Sequence, residues 1–260
     1  MAQRLNGLFA VHKPVGITSA SVSNGIKEII RQGLKSCHDG RDQETEKLEG
    51  GHRQRGKLRI GHGGTLDYAA SGVLVIGVGK GTKALRSFLK GQKKYMATGQ
   101  LGIATDTHGS SGKITQVSSY DHITEEKFFE ALNRFQGQIE QVPPVYSALK
   151  VNGERMSTLA YMGVDVQPKP ARPVTVYGLK CVSFEPPSFV LEIVCGGGFY
   201  VRKLIHDLGK EVDCCATMTA LERTQQGPFH LGHNVLRSNE WTFERILEVL
   251  EDISQPYYRP

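Results

Sequence analysis

The sequence predicts an α+β protein with a mixed, mostly antiparallel sheet flanked by helices and loops. Apolar runs typical of strands occur in neighbouring pairs, and segments with helical spacing of apolar residues lie between them. No regular strand–helix–strand repeat is present, which argues against a parallel sheet. With 260 residues, 39% of them hydrophobic, the chain is long enough to bury a sizeable core.

The first elements are a strand at 7–12 and a helix that Thr18 or Ser19 caps. Pro14 and Gly16 end the strand, and apolar residues recur on one face of the helix between 22 and 30. Residues 35–57 hold many charges and few large apolar side chains, so we expect a mobile insertion or extended loop. Its basic end at 52–59 is consistent with a solvated loop, but we favour an arm that contacts phosphate.

The later elements follow from the same periodicities. Residues 72–79 form a continuous apolar run, typical of a strand buried on both faces, and 94–101 alternate as in a half-buried strand. Thr124 caps a helix with acidic residues in its first turn. The remaining predictions are a short helix at 82–89, a hairpin of strands at 174–184 and 189–195, a helix after the glycines at 196–198, and a last helix at 241–253.

Composition narrows the function classes. The net charge of +6 fits a nucleic-acid partner, although a mildly basic protein of another class would fit equally well. The 5 cysteines have no zinc-ligand spacing, so we expect free thiols and no metal. No apolar run reaches the roughly 18 residues of a membrane span, and the N-terminus does not resemble a targeting peptide. We therefore expect a nuclear or cytoplasmic protein, with a mitochondrial location disfavoured.

Two glycine-rich segments are candidate sites. Residues 77–83 contain the residues of a phosphate-binding loop in the wrong order, which argues against nucleotide binding. Residues 61–67 place Asp67 after three glycines and before a buried strand, a position that suits a carboxylate on the floor of a cleft. By composition alone Asp67 is better explained as an ordinary turn residue.

The segment 61–74, GHGGTLDYAASGVL, resembles the catalytic motif of the TruB-type tRNA pseudouridine-55 synthases. Its detailed residue choices are most similar to the eukaryotic, animal-type branch. Other segments resemble further motifs of this family in the same order along the chain. They are 12–19 (HKPVGITS), 94–95 (KY), 101–107 (LGIATDT), 143–150 (PPVYSALK), 172–174 (RPV), 197–202 (GGFYVR) and 221–224 (LERT). The ordered matches make a chance resemblance an inadequate explanation.

The resemblance implies three catalytic residues. Asp67 matches the catalytic aspartate of the family, Arg202 the arginine that pairs with it, and Tyr95 the tyrosine that stacks on the target uracil. We therefore predict that Arg202 lies within salt-bridge reach of Asp67, with Tyr95 facing both.

The resemblance also implies substrate-binding residues. His62 matches a histidine that helps to hold the RNA with its uridine flipped out, and Tyr200 and Leu221 match the walls of the uracil pocket, together with Tyr95. The residues that we expect to bind the RNA itself are Lys13, Arg53, Arg55, Lys57, Arg59, Lys150 and Arg155.

These residue types suit the implied reaction, in which uridine loses its C1′–N1 bond and rejoins the ribose through C5. Substrate and product contain the same atoms and electrons, so no cofactor, redox partner or metal is expected. An ionised carboxylate serves as the nucleophile, or as stabiliser and base. Stacking on an aromatic ring, worth about 1–3 kcal/mol, offsets part of the few kcal/mol needed to flip the base.

The resemblance implies one pseudouridine synthase catalytic domain over 1–260, interrupted by the charged insertion at 35–57. Tyr68 stands where the family often has proline, and the chain after Phe229 is too short for the C-terminal RNA-binding (PUA) domain that many relatives carry. We expect the domain and its basic arm to recognise an isolated stem-loop. The expected partners are the tRNA T-arm, with uridine 55 as target, and structured mRNA stem-loops, with no required protein partner evident.

Two functions of other classes compete with this enzyme. One is an RNA-binding module that refolds tRNA without chemistry, and the presence of Asp67, Tyr95 and Arg202 argues against a complete loss of activity. The other is a phosphate-loop nucleotidase, which fails on the spacing at 77–83.

Overall fold

The computed structural model describes residues 5–39 and 58–251. Its strands are β1 (Gly7–Lys13), β2 (Ile60–His62), β3 (Ser71–Val78), β4 (Lys93–Leu101), β5 (Ile103–Thr105), β6 (Ile114–Val117), β7 (Gly137–Gln141), β8 (Lys150–Val151), β9 (Glu154–Arg155), β10 (Arg172–Glu185), β11 (Ser188–Cys195), β12 (Ala216–Gln226), β13 (Phe229–His230) and β14 (Val235–Leu236). Its α-helices are α1 (Ser19–Asp39), α2 (Leu85–Lys90), α3 (Glu125–Asn133), α4 (Met156–Tyr161), α5 (Val201–Glu211) and α6 (Phe243–Val249), and short 3₁₀ helices span Gly79–Lys83 and Ser238–Glu240.

The described chain divides into two compact units. The first consists of residues 5–39, 58–68, 72–88 and 228–251, and the second of 69–71 and 89–227. The prediction of one catalytic domain over 1–260, without a further RNA-binding domain, stays a prediction.

The first unit is built on strands β1 and β3, which pair antiparallel from Gly7 opposite Val78 to Lys13 opposite Gly72. The short strand β14 pairs parallel with β1, and β2 pairs antiparallel with β3. Strands β1 and β3 are buried on both faces, as the apolar run at 72–79 predicts for β3. One face packs against the apolar side of α1, and the other packs against α2 and Phe229.

Helix α1 confirms the predicted apolar face, with Val22, Ile26 and Ile30 buried against the strands. It is longer than expected, because it continues through residues 35–39, which we had assigned to the charged insertion. Once the preceding turns exist, each added residue gains a backbone hydrogen bond without a new nucleation cost, so low hydrophobicity alone does not end the helix. The remainder of the predicted insertion, residues 40–57, lies outside the described residues.

The last helix is shorter than predicted from the sequence. Thr242 caps α6 by accepting a hydrogen bond from the Arg245 amide, and the helix ends at Val249. Beyond it, Glu251 exchanges two backbone hydrogen bonds with Leu8, which requires an extended rather than a helical chain. The predicted final residues of this helix, 252 and 253, lie outside the described residues.

The second unit contains a sheet in the order β12–β4–β11–β10–β7, antiparallel at each of these pairs. The predicted hairpin is confirmed as β10 and β11, and the alternation in β4 buries its odd-numbered residues. Thr124 caps α3 as predicted, and α5 buries one apolar side after the glycines at 196–198. The predicted α+β class with a mostly antiparallel sheet is confirmed.

The structure also shows the state of the cysteines and whether the described helices could span a membrane. The cysteines are free, and Cys195, Cys214 and Cys215 are buried as packing residues. No helix among the described residues is long and apolar enough to cross a membrane. Within the same residues no group of three or more His, Cys, Asp and Glu side chains is placed to hold a metal ion.

Candidate active site

Asp67 lies in the first unit, in the segment that connects β2 to β3. The Gly63 amide donates to Val75 O at 2.8 Å, and Gly64 has a φ of +144°, a conformation that favours glycine. Gly63 therefore continues the pairing of β2 with β3 by one residue, and the chain bends at Gly63 and Gly64, shortly before the aspartate. The glycine-rich spacing that singles out this motif corresponds to a real backbone requirement.

The segment that leads into α1 holds the backbone on both sides of Asp67. The Ser19 hydroxyl accepts a hydrogen bond from Leu66 N at 2.9 Å and donates to Leu66 O at 3.2 Å. On the other side, Gly16 N donates to Tyr68 O at 2.9 Å. Thr18, rather than Ser19, caps α1, because its hydroxyl accepts from Ser21 N at 3.0 Å. The motif at 12–19 therefore supports the turn that carries Asp67.

Lys13, expected to bind RNA, is fully buried. Its ammonium donates to Pro14 O and Ile17 O, both at 2.8 Å. A buried ammonium bound to main-chain carbonyls is not placed to contact a phosphate directly. The expected role of Lys13 is therefore corrected: it supports the 14–17 turn. A sequence pattern cannot distinguish a buried lysine of this kind from an exposed one.

The other predicted residues of the first unit are more accessible. His62 is half-buried at the end of β2, opposite Ile76, and Arg59 is exposed immediately before this strand. Arg53, Arg55 and Lys57, the remaining basic residues of the predicted arm, lie outside the described residues.

Tyr95 and Leu221 lie on one face of the sheet in the second unit. Tyr95 of β4 is 9% exposed, and Leu221 of β12 is 8% exposed. Leu221 pairs with Ala97, two residues from Tyr95 on the same face of β4, and Tyr95 itself pairs with Arg223. The structure therefore brings together two residues that are far apart in the sequence and that the family resemblance assigns to one uracil pocket.

Arg202 is buried in the first turn of α5, although an isolated arginine at such a position is usually exposed. Its guanidinium donates to Thr107 O at 2.7 Å and to Tyr146 O at 3.0 Å. Two loops from different parts of the second unit are thereby fixed to one cation. Sequence reasoning did not identify Thr107 and Tyr146, because main-chain carbonyl acceptors leave no residue signature, although both residues lie within segments that resemble family motifs.

Tyr200, the N-cap residue of α5, is half-buried in the same unit. The guanidinium carbon of Arg172 lies 5.7 Å from the centroid of its ring, within range of a cation–π contact. Asp67 belongs to the first unit and Arg202 to the second, so their predicted proximity, with Tyr95 facing both, stays a prediction.

Two histidines stack close to Arg202, one of them directly after Thr107. The rings of His108 and His206 have centroids 3.9 Å apart, and neither buried Nδ1 has a hydrogen-bond partner among the described residues. Burial is the main cause that lowers the pKa of His108 to about 3, followed by the neighbouring His206 ring and nearby lysines. Burial, followed by Lys210 and Lys203, lowers the pKa of His206 to about 4. Both rings are therefore neutral near pH 7.

Tyr146 also has a perturbed phenol. Its hydroxyl donates to Asp106 Oδ2 at 3.4 Å. Partial burial, and next the neighbouring Asp106 carboxylate, raise the pKa of Tyr146, so the phenol stays protonated at neutral pH.

Lys150 and Arg155 form an exposed basic pair. They lie directly opposite each other in the two-stranded ladder of β8 and β9, and both side chains are exposed. Neighbouring like charges on an exposed hairpin repel each other unless an anion lies between them. The pair is therefore accessible to a phosphate, and its contact with RNA stays a prediction.

Comparison with known proteins places the chain among RNA-modifying enzymes. Residues 52–201 match the N-terminal domain of the TruB family pseudouridylate synthases, and residues 202–254 match the C-terminal domain of tRNA pseudouridylate synthase B. Pseudouridylate synthase TRUB1 of Mus musculus is 49% identical over 249 residues, which cover 95% of this chain and 70% of the mouse protein. The tRNA pseudouridine synthase B of Clostridium novyi is 37% identical, over 96% of this chain and 77% of the bacterial protein.

The fold also resembles that of a solved structure. A chain in the crystal structure of a Cbf5–Nop10–Gar1 complex superposes with a TM-score of 0.63 at 25% identity. The match covers 98% of this chain and 58% of the solved chain. Two family models and relatives at these identities and coverages agree with the order of motifs and with the fold, and the chain belongs to the TruB family of pseudouridylate synthases.

Proposed function

We propose that this pseudouridylate synthase acts on uridine 55 in the T loop of tRNA, and on structured stem-loops of mRNA as further substrates. The similarity to a bacterial tRNA pseudouridine synthase B supports a tRNA substrate. The observation that carries the proposal is the turn around Asp67, where hydrogen bonds from Ser19 and Gly16 fix the residues on either side of the carboxylate.

In this proposal Asp67 is the catalytic carboxylate, acting as nucleophile or as stabiliser and base while the C1′–N1 bond breaks and the C5–C1′ bond forms. Arg202 is the cation that pairs with this carboxylate. Tyr95 stacks on the flipped uracil, and its position in the sheet beside Leu221 supports an aromatic surface with an apolar neighbour. The reaction balances without a redox partner or cofactor.

Recognition of the RNA in this proposal depends on exposed cations and on the pocket walls. Lys150 and Arg155 contact the phosphate backbone from their hairpin, and Arg59 contacts it beside the Asp67 loop. His62 helps to hold the flipped nucleotide, and Tyr200 forms a wall of the pocket. Arg53, Arg55 and Lys57 extend the basic surface, and the T-arm stem-loop alone is sufficient for recognition without a protein partner.

The decisive experiment compares Asp67→Asn with the wild-type chain on a T-arm stem-loop, with pseudouridine measured by mass spectrometry. We expect the rate to fall about 10⁴-fold or more, as for the loss of an essential catalytic group. Asp121→Asn, which changes an exposed aspartate in the same way, is the matched control and is expected to retain full activity. Retained pseudouridine formation by Asp67→Asn would sink the assignment.

The same variant separates catalysis from RNA folding. Asp67→Asn leaves the proposed phosphate-contacting residues intact, so it should still bind RNA, and refolding of tRNA by this variant would establish a second activity. A stem-loop modified far more slowly than whole tRNA would contradict the proposed minimal substrate. Imaging of the tagged full chain tests the proposed nuclear or cytoplasmic location.

A further inference from the structure

The N-terminus of α5 carries two residues of the proposed site, Tyr200 at the N-cap and Arg202 in the first turn. The Tyr200 side chain makes no capping hydrogen bond, but a side chain from another element binds the Tyr200 main chain. The residue that does so is Gln141, at the end of β7.

Gln141 binds both main-chain polar groups of Tyr200. Its Oε1 accepts from Tyr200 N at 2.8 Å, and its Nε2 donates to Tyr200 O at 3.1 Å. The side chain is 3% exposed, so water does not readily replace these bonds. The side-chain amide therefore accepts through its oxygen and donates through its nitrogen, as a neighbouring strand would, and it fixes where the helix begins.

Arg172 acts on the same segment from the next strand. It lies directly opposite Gln141 in the β7–β10 ladder, so the two side chains share one face of the sheet. Arg172 Nη2 donates to Gly198 O at 2.7 Å, and its guanidinium lies over the Tyr200 ring. The opposed pair thus fixes the main chain before and at Tyr200 and contacts its aromatic face.

The chain that follows β7 also reaches the second site residue of this helix. Five residues after Gln141, the carbonyl of Tyr146 accepts from Arg202 Nη2 at 3.0 Å. The segment 141–146 therefore contacts Tyr200 at one end and Arg202 at the other, and it relates the two side chains of the proposed site to each other.

We propose that Gln141 is a positioning residue for the uracil pocket, holding the Tyr200 main chain so that the Tyr200 ring forms the pocket wall. This inference rests on the proposed function, because it assigns Tyr200 to that pocket. Gln141 reaches the substrate only through Tyr200. Its loss should therefore slow the chemical step much more than it weakens RNA binding, since the phosphate contacts lie on other residues.

The test compares Gln141→Leu with Gln138→Leu, the same change at an exposed position of the same strand. Single-turnover rates on the T-arm stem-loop measure the chemical step, and fluorescence anisotropy measures RNA affinity. We expect Gln141→Leu to slow the chemical step by about 10- to 100-fold, the size of effect that misplacement by about 1 Å produces. The RNA dissociation constant should change by less than about threefold, and Gln138→Leu should match wild type in both.

A spectroscopic measurement reports on the main chain without reference to activity. Tyrosine labelled with ¹⁵N gives amide signals for 9 residues, and Tyr200→Phe assigns the one of interest. In Gln141→Leu the Tyr200 amide should exchange with solvent at least about tenfold faster, whereas the other tyrosine amides should keep their rates. A merely structural role would instead raise the exchange of many amides together.

Two results would overturn the inference. One is a Tyr200 amide that exchanges as in wild type, and the other is a faster-exchanging amide with a rate of catalysis within twofold of wild type. Where Gln141→Leu does not fold, Gln141→Asn keeps a polar amide but is too short to reach both main-chain atoms, and the same criteria apply to it. A wild-type chain that forms no pseudouridine would refute the proposed function, while the amide exchange would still decide whether Gln141 holds Tyr200.

Discussion

Replacing Lys13 by methionine distinguishes the two roles that sequence and structure give this lysine. The substitution keeps an unbranched side chain of similar length and removes the ammonium that donates to Pro14 O and Ile17 O. A phosphate contact, expected from the sequence, and support of the 14–17 turn, indicated by the structure, predict different outcomes for stability and for RNA binding.

The magnitude follows from the two hydrogen bonds. Each bond from a charged donor contributes about 1.5–3 kcal/mol, so losing both destabilises the fold by about 3–6 kcal/mol. Burial of the ammonium carries a desolvation penalty of several kcal/mol that the variant no longer has. We therefore expect Lys13→Met to lower the free energy of unfolding by about 1–3 kcal/mol. For a chain of this size that corresponds to a fall of about 3–10 °C in Tm.

Thermal unfolding and the salt dependence of RNA binding are measured on the same samples. We expect Lys13→Met to lower Tm and to leave the slope of log affinity against log salt unchanged. Lys150→Met, which alters an exposed lysine, should leave Tm unchanged and reduce that slope by about 0.7–0.9, the contribution of one phosphate contact. A Lys13→Met variant with wild-type Tm and a slope reduced by that amount would refute the structural role and restore the phosphate contact.

Three further predictions concern stability. Arg202→Lys removes the guanidinium that binds the carbonyls of Thr107 and Tyr146 together. We expect the free energy of unfolding in urea to fall by about 1.5–3 kcal/mol and catalysis to be slower, and wild-type stability would contradict this. Burial holds the pKa of His108 and of His206 below that of histidine in the unfolded chain, so below about pH 6.5 the unfolded chain takes up protons that the folded rings do not. The free energy of unfolding should therefore be unaffected by these rings above about pH 6.5 and should fall as the pH approaches 4. The slope is at most about 1.4 kcal/mol per pH unit for each ring, reduced by solvent because both are partly exposed, and a flat Tm over this range would disprove it. Gly81→Ala places a methyl group 2.0 Å from a backbone oxygen of β1 and should cost about 1–3 kcal/mol, whereas Gly25→Ala, with open space inside a helix, should raise Tm; equal effects would contradict the packing argument.

Much of the fold follows from local sequence patterns. The alternation in β4 and β11, the continuous apolar run of β3 and the Thr124 cap each predict an element that the structure confirms. The small hairpins and α4 were not predicted, because elements of two to six residues carry too little periodicity. The long strand β12 was also missed, since its central residues, Thr219 to Thr224, are mostly polar and take part in the sheet through pairing with β4.

The site depended on resemblance more than on pattern. By spacing alone Asp67 is an ordinary turn residue, and its assignment as a candidate catalytic residue depends on distant segments that resemble one family. What sequence did not reveal is how side chains bind main-chain atoms: Lys13 to the 14–17 turn, Ser19 to Leu66, and Gln141 to Tyr200. These contacts depend on tertiary geometry. The same residue types at exposed positions would give the same local sequence pattern, so the sequence alone does not predict them.

The hydrogen bonds that Ser19 and Gly16 make to the neighbours of Asp67 have a consequence for the entropy of catalysis. Ordering the backbone of one residue costs about 1–2 kcal/mol, and here that ordering of the residues on either side of the aspartate takes place when the chain folds. In the proposed reaction the aspartate loop is therefore ordered before RNA binds, and little of the RNA-binding free energy needs to be spent on ordering it.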